Sequence, residues 1–140
     1  MTRDTARAMT EENVEIVHQV FDALNRDDLP AAIKHAAPDF VFDFSRSRGL
    51  DGGVYGRDEW LKLAQAMAGL WESWRWEPEE FIEAPEDRLV TVQTAHMQGR
   101  DDIVVSTRGA WLWLFRDERI ARVTFFQERY EALEAAGLSE

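Results

Sequence analysis

Between residues 14 and 24, Val14, Val17, Phe21 and Leu24 recur at steps of three, four and three. That is one stripe of an amphipathic helix. Thr10 suits its N-cap, Glu11 and Glu12 favour the first turn, and residues 1–9 read as a flexible polar tail. Asn25-Arg26-Asp27-Asp28 stops the helix. Asp28 as a cap, Pro30 in the first turn and Leu29, Ala32, Ile33 and Ala36 facing inward predict a short second helix that ends at Pro38. Phe40, Val41, Phe42 and Phe44 predict a short strand. After a glycine- and arginine-rich loop, Trp60, Ala64, Met67, Trp71 and Trp74 return at steps of four, three, four and three, a third helix over 57–73. The period then falls to two. Strands are expected over 75–83, 88–99, 103–116 and 119–128, with turns at Pro85-Glu86-Asp87, Gly99-Arg100-Asp101-Asp102 and Asp117-Glu118. A last helix over 128–136 stops at Gly137.

Strands joined by short turns want antiparallel neighbours, and three helical stripes need a curved sheet to cover them. The expected fold is α+β: a cone-like curved antiparallel or mixed sheet wrapped around three helices from the N-terminal half. It forms a single domain over 10–140, without repeat or linker.

Composition narrows the function classes. A chain of 140 residues with 45% hydrophobic content supports one real core. Its net charge of -11 repels phosphate backbones and anionic lipid, so neither nucleic acid nor a membrane surface is an expected partner. No apolar run approaches the roughly 20 residues of a membrane span, and the first ten residues lack a signal-peptide core. Cysteine is absent and the three histidines lack ligand spacing, so no metal or other cofactor is expected, and a cytoplasmic location is. Six Trp and eight Phe are a heavy load, suited to filling a core or lining an apolar cavity.

The candidate chemistry is scattered. In 88–99 the set Val90, Val92, Thr94, His96 starts apolar and is expected to face the core, which carries His96 toward the cone mouth as a base or as a satisfied imidazole. Asp43 reads as a base at the pocket mouth or as an outward carboxylate paired with an arginine. Tyr55 offers a hydroxyl to a ligand or packs under the loop. Arg46 and Arg48 present forks for a carboxylate, or plain surface charge. Trp111 and Phe42 are candidate walls for a flat ligand, and Phe126 and Glu128 candidate groups toward the rim. The apolar outward set Ala110, Leu112 and Leu114 wants a second cover, an argument for a homodimer through the sheet.

Five segments resemble those of SnoaL-like proteins of the nuclear transport factor 2-like superfamily: ENVEIVHQVFDALNRDD from Glu12, PDFVF from Pro38, YGRD from Tyr55, WLFRDERI from Trp113 and EALEAAGL from Glu131. They run in order over about 11–138. The resemblance implies a cone with a pocket at its open end, often in a homodimer. It does not fix the chemistry, since this fold hosts isomerases, dehydratases, cyclases, epoxide hydrolases and plain binding modules. Matched to the ketosteroid isomerases, Phe21 stands where an oxyanion Tyr is needed and Phe44 where the base is needed, with Asp43 one residue away. Matched to the polyketide cyclases, Thr124, Phe125 or Phe126 stands where an acid is needed. The expected function is therefore a pocket for a small hydrophobic or aromatic molecule. Either Asp43, His96 and Tyr55 form an acid–base set for a cofactor-free isomerase, cyclase or dehydratase, or the pocket binds without turnover, or aromatic rings plug it.

Overall fold

A computed structural model describes residues 3–46 and 53–138, with side chains from residue 11 onward. Arg48, Gly49 and Gly52, singled out in the loop, lie outside the described residues.

Helix α1 spans Arg3–Asn25. It starts ahead of the expected cap at Thr10 because Ala6, Arg7, Ala8 and Met9 are good helix formers. Helix α2 is one turn, Leu29–Ala32, capped by Asp28 Oδ1, which accepts from the Ala31 amide at 3.2 Å. It ends ahead of Pro38, and the chain is already extended from Ala36. Strand β1, Ala36–Asp43, pairs in parallel with β6, Arg119–Phe126, but its register breaks between Ala36 and Val41. Pro38 sits in that irregular stretch, where a missing N–H costs the ladder nothing. A three-residue strand β2, Val54–Gly56, pairs with β1, and helix α3 covers Arg57–Leu70. Strands β3, Ser73–Ala84, β4, Arg88–Gln98, and β5, Val104–Arg116, complete the sheet, and helix α4, Arg129–Ala135, closes the chain. The short β2 has no pattern of its own in the sequence, being only three residues beside the loop.

The six strands form one sheet in the order β2-β1-β6-β5-β4-β3, antiparallel except for β1 beside β6. This is the expected α+β cone, with a sheet that does not close. On its inner face Phe40, Phe42, Leu89, Trp111, Trp113, Phe115, Ile120 and Val123 bury against Val17, Val20 and Phe21 of α1. On its outer face Val90, Val92, Ala110 and Phe126 bury under Ala132 and Leu133 of α4 and its C-cap Ala136, with Leu112 packed beside them. The short α4 thus covers Ala110 and Leu112 of the outward apolar set, and Leu114 stays exposed.

Two side chains fasten the helices to the sheet. Asn25, the last residue of α1, donates to the Trp76 carbonyl at 2.9 Å and accepts from the Trp76 amide at 2.7 Å, so it occupies edge positions of β3. Arg88 donates to the carbonyls of Pro85, Ala135 and Ala136 at 2.9, 3.2 and 3.0 Å, tying the end of α4 to the β3–β4 turn. No helix among the described residues is long and apolar enough to cross a membrane.

Candidate functional site

Strand alternation decides which side chains reach the interior of the cone. In β5 the odd residues Trp111, Trp113 and Phe115 face inward. Residues paired across antiparallel strands share a face, so their partners Thr91 and Leu89 face inward too, followed along β4 by Gln93, Ala95 and Met97. The even set Val90, Val92, Thr94 and His96 therefore points outward, the reverse of the sequence expectation. The sequence misleads because the inward set carries the polar Thr91 and Gln93, while the outward set carries the apolar Val90 and Val92, which are buried because α4 covers them.

His96 accordingly lies on the outer face, not at the mouth of the cone. Its Nδ1 is 3.0 Å from Ser106 Oγ and its Nε2 is 2.9 Å from Glu77 Oε1. The bond to His96 holds the Glu77 carboxyl below its ordinary value. Asp43 also points outward, next in sequence to the inward Phe42. Its Oδ1 accepts from the Ser45 amide at 2.8 Å and its Oδ2 from Arg122 at 2.5 Å. Burial alone would raise the Asp43 carboxyl, but the bonds from Ser45 and Arg122 outweigh it and hold it below its ordinary value. A carboxylate so stabilised is a weak proton acceptor at neutral pH. His96 and Asp43 are therefore both removed from the interior, by strand parity.

The remaining candidates divide. Arg46 is exposed and its guanidinium carbon lies 5.3 Å from the centre of the Phe126 ring, a cation–π contact that leaves it away from the interior. Phe126 is buried under α4, since it pairs with the outward Ala110. Glu128 is the N-cap of α4 in a reciprocal box with Glu131, whose Oε1 accepts from the Glu128 amide at 3.1 Å. Phe42, Trp111 and Tyr55 do come together. Phe42 meets Trp111 edge-on at 5.4 Å, Phe44 stacks on Phe42 at 4.4 Å, and Tyr55 meets Phe44 at 6.1 Å. The Tyr55 ring folds back over Gly53, where a side-chain carbon would stand 2.8 Å from its hydroxyl oxygen. The Phe21 ring stacks on Trp111 at 5.6 Å and is packed into the core.

A continuous aromatic wall emerges. From Phe42 and Trp111 it extends to Phe125 through Phe44, with centroids 5.6 Å apart. On the other side Trp111 meets Trp76 at 4.9 Å, Trp76 meets Trp74 at 5.7 Å, and Trp74 meets Trp71 at 6.4 Å. Trp60 of α3 lies nearly parallel to Phe42 at 6.3 Å. Gly109 keeps the wall open to Phe125, since a side-chain carbon there would stand 3.0 Å from that ring. Phe42, Trp60, Trp111 and Trp113, together with Val20, Leu24, Ile33 and Phe40, enclose a cavity of about 30 Å³, and the rest of the wall extends beyond it. That is room for one or two water molecules, against the 300 Å³ or more of typical ligand pockets. Helix α3 has no fully buried residue, so the Trp60 side of the cavity is the least fixed.

The interior is not wholly apolar. The Trp113 indole donates to Thr91 Oγ1 at 2.9 Å, and Thr91 donates to Gln93 Oε1 at 2.7 Å. Thr91 and Gln93 are 0% and 2% exposed. The sequence reading missed both by assigning them to the wrong face. Their signal was available in the pairing of β4 with β5, whose parity Trp111, Trp113 and Phe115 make plain. His18, stacked on Phe81 at 4.3 Å, and His35, 2.8 Å from Gln19 Oε1, serve the framework. No three His, Cys, Asp or Glu residues among those described are placed to hold a metal ion.

Known proteins share this architecture. The sequence matches no curated protein. Among solved structures, a nuclear transport factor 2-like protein of unknown function from Burkholderia pseudomallei is 23% identical, with TM-score 0.71 over 89% of this chain and 97% of that one. TerC, co-crystallised with polyporic acid, is 19% identical, with TM-score 0.70 over 89% and 97%. A protein of ketosteroid isomerase-like fold from Catenulispora acidiphila, in complex with trimethylamine, is 16% identical, with TM-score 0.69 over 89% and 94%. At these identities the likeness speaks for the fold alone. The model of the SnoaL-like domain matches residues 17–123, and the chain belongs to that family.

Proposed function

We propose that this protein is a receptor for a small planar apolar or aromatic molecule, held against the inner aromatic wall without chemical change. The observation that carries the reading is the wall itself: Phe42, Phe44, Trp60, Trp74, Trp76, Trp111 and Phe125 line one side of the cone in unbroken contact. Flat rings offer large contact area and defined stacking geometry to a flat ligand. His96 and Asp43, the two strongest candidate bases, are engaged on the opposite face. Co-crystallisation of the fold relative TerC with polyporic acid gives the ligand class a precedent.

The resting cavity is too small for such a ligand, so binding requires α3 to yield and Trp60 to swing aside.

Native mass spectrometry of freshly purified protein, followed by denaturation and analysis of what is released, tests this. A planar aromatic compound released unchanged supports the reading. Conversion of that compound on incubation with fresh protein would overturn it in favour of an enzyme. An empty protein that also fails to bind aromatic compounds by calorimetry would mean that the rings only fill the core.

A further inference from the structure

We infer that Trp74 is a specificity-determining residue of the aromatic wall, beyond the rings that line the resting cavity: its indole N–H selects planar ligands that carry a hydrogen-bond acceptor, such as an aryl ketone or quinone oxygen, over hydrocarbons of the same shape. The inference deepens the proposed receptor function and rests on it.

Trp74 pairs across the strands with Met97, so it faces the interior, and its ring bridges Trp71 and Trp76 in the wall. Its Nε1 is buried and has no hydrogen-bond partner. Among the described residues only Arg57 Nε, at the start of α3, shares that condition. Folded proteins seldom leave a buried donor unpaired, because the group gives up water and gains nothing in return. This chain can satisfy a structural indole. Trp113, on the same face of the sheet, donates to Thr91 at 2.9 Å. The surroundings of Trp74 offer no comparable acceptor, since the Trp71 and Trp76 rings are apolar and a Met97 thioether is a weak one.

The strand that carries Trp74 is also held firmly. Asn25 bonds both backbone groups of Trp76, two residues on, at 2.9 and 2.7 Å. A donor on an anchored strand is pre-set for a ligand oxygen, and a ligand that brings one removes the cost of the unpaired N–H. A hydrocarbon of the same outline gains the stacking only.

The test uses the full-length protein and a matched pair of bicyclic probes, 1-indanone and indane, which differ by one carbonyl. Calorimetry should show 1-indanone binding about five- to tenfold more tightly than indane, the range expected of one neutral hydrogen bond. Trp74→Phe keeps an aromatic ring and loses the N–H. It should weaken 1-indanone by that factor and leave indane within about twofold. A Trp74→Phe protein that retains the preference for 1-indanone, or that loses both probes equally, would overturn the inference. If the wild type binds neither probe, the receptor reading falls and takes this one with it. Should Trp74→Phe fail to fold, nuclear magnetic resonance of the wild type decides. The Trp74 indole proton, assigned by its through-space contacts, should move downfield with 1-indanone but not with indane, and an equal response to both would sink the assignment.

Discussion

The two faces of one sheet carry opposite chemistry. The inner face of β3, β4 and β5 presents Trp74, Trp76, Thr91, Gln93, Trp111 and Trp113. The outer face of the same strands, beyond the patch under α4, presents Glu77, Glu79, Glu80, His96, Ser106 and Arg108 joined by hydrogen bonds and ion pairs. Arg108 Nε lies 3.1 Å from Glu79 Oε1, and Arg129 Nε 2.9 Å from Glu80 Oε2. A register shift between Pro78 and Glu80 helps to build that outer network. The extra residue lets the consecutive Glu79 and Glu80 both engage Arg108. Ionisable groups stay where water lowers their cost, and the interior keeps only polar groups that bond to one another or wait for a ligand. Richness in histidine and carboxylate along a strand therefore says little about a site until its parity is known.

The comparison predicts very unequal tolerance to truncation. Trp113 is 2% exposed and both packed and hydrogen-bonded, so Trp113→Ala should cost about 3–5 kcal/mol and leave a soluble but weakly folded protein. Arg108→Ala removes two exposed ion pairs, to Glu79 and Glu80, and should cost less than about 1 kcal/mol. Urea denaturation of the two variants measures the difference. Similar losses would mean that the outer network is structurally as important as the core.

Arg88, which ties the end of α4 to the β3–β4 turn, ranks next. Its guanidinium binds three carbonyls, two of them at the end of α4. Arg88→Ala should cost about 2–3 kcal/mol, because hydrogen bonds from a charged donor are among the stronger ones. Amide hydrogen exchange should speed up in α4 before it does in α1. Uniform loss of protection would show that α4 is not a separable cover.

Asp43 tests the outer face by pH. Its folded-state carboxyl sits below its unfolded value, so it adds stability above an unfolded pKa of about 3.9, and that stability is lost as pH falls through the folded value. Asp43→Asn should cost about 1 kcal/mol at neutral pH, and its melting curve should converge with the wild type toward pH 2. A gap that persists in acid would mean that the asparagine disturbs packing rather than removing a charge interaction.

The sequence makes the fold legible because its long elements are strongly periodic. The stripe from Val14 to Leu24 and the alternation of Trp111, Trp113 and Phe115 each have one physical solution, whereas the spacing of Trp60, Ala64 and Met67 marks α3 but its continuation to Trp71 and Trp74 misleads, since the helix ends at Leu70 and Trp74 lies in β3. Shorter elements are less legible. Strand β2 has three residues, and α2 gives way to β1 before Pro38 because the chain ahead of a proline prefers extended geometry. The site is harder still. Phe42 and Trp111 could be placed from their own strands. His96 and Asp43 could not, because β4 is buried on both faces, with the polar Thr91 and Gln93 on the inner one, and Asp43 follows Phe42 by a single residue. A one-residue step in a strand is a change of face, and only pairing with a strand of known parity settles it.

The smallest predicted effect lies at the narrow end of the cone, away from both faces. Asp117 and Glu118 turn the β5–β6 hairpin with φ of 53° and 63°, and Glu86 and Asp87 turn β3–β4 with 63° and 57°. In the β5–β6 hairpin, where only these two residues separate the paired Arg116 and Arg119, two consecutive positive values describe the two-residue turn that twists with the strands, and that turn favours glycine at its second position. Glu118→Gly relieves a left-handed side-chain residue at the cost of a more flexible unfolded chain. The net should be a gain of about 0.5–1 kcal/mol, or a rise in Tm of about 1–4 °C, read by calorimetry. The contrast with Trp74→Phe sharpens the division of the molecule. Glu118→Gly should raise Tm and leave the preference for 1-indanone over indane unchanged, whereas Trp74→Phe should abolish the preference. If the turn variant alters the preference as well, the narrow end and the aromatic wall are coupled, and the pocket must be treated as a property of the whole cone.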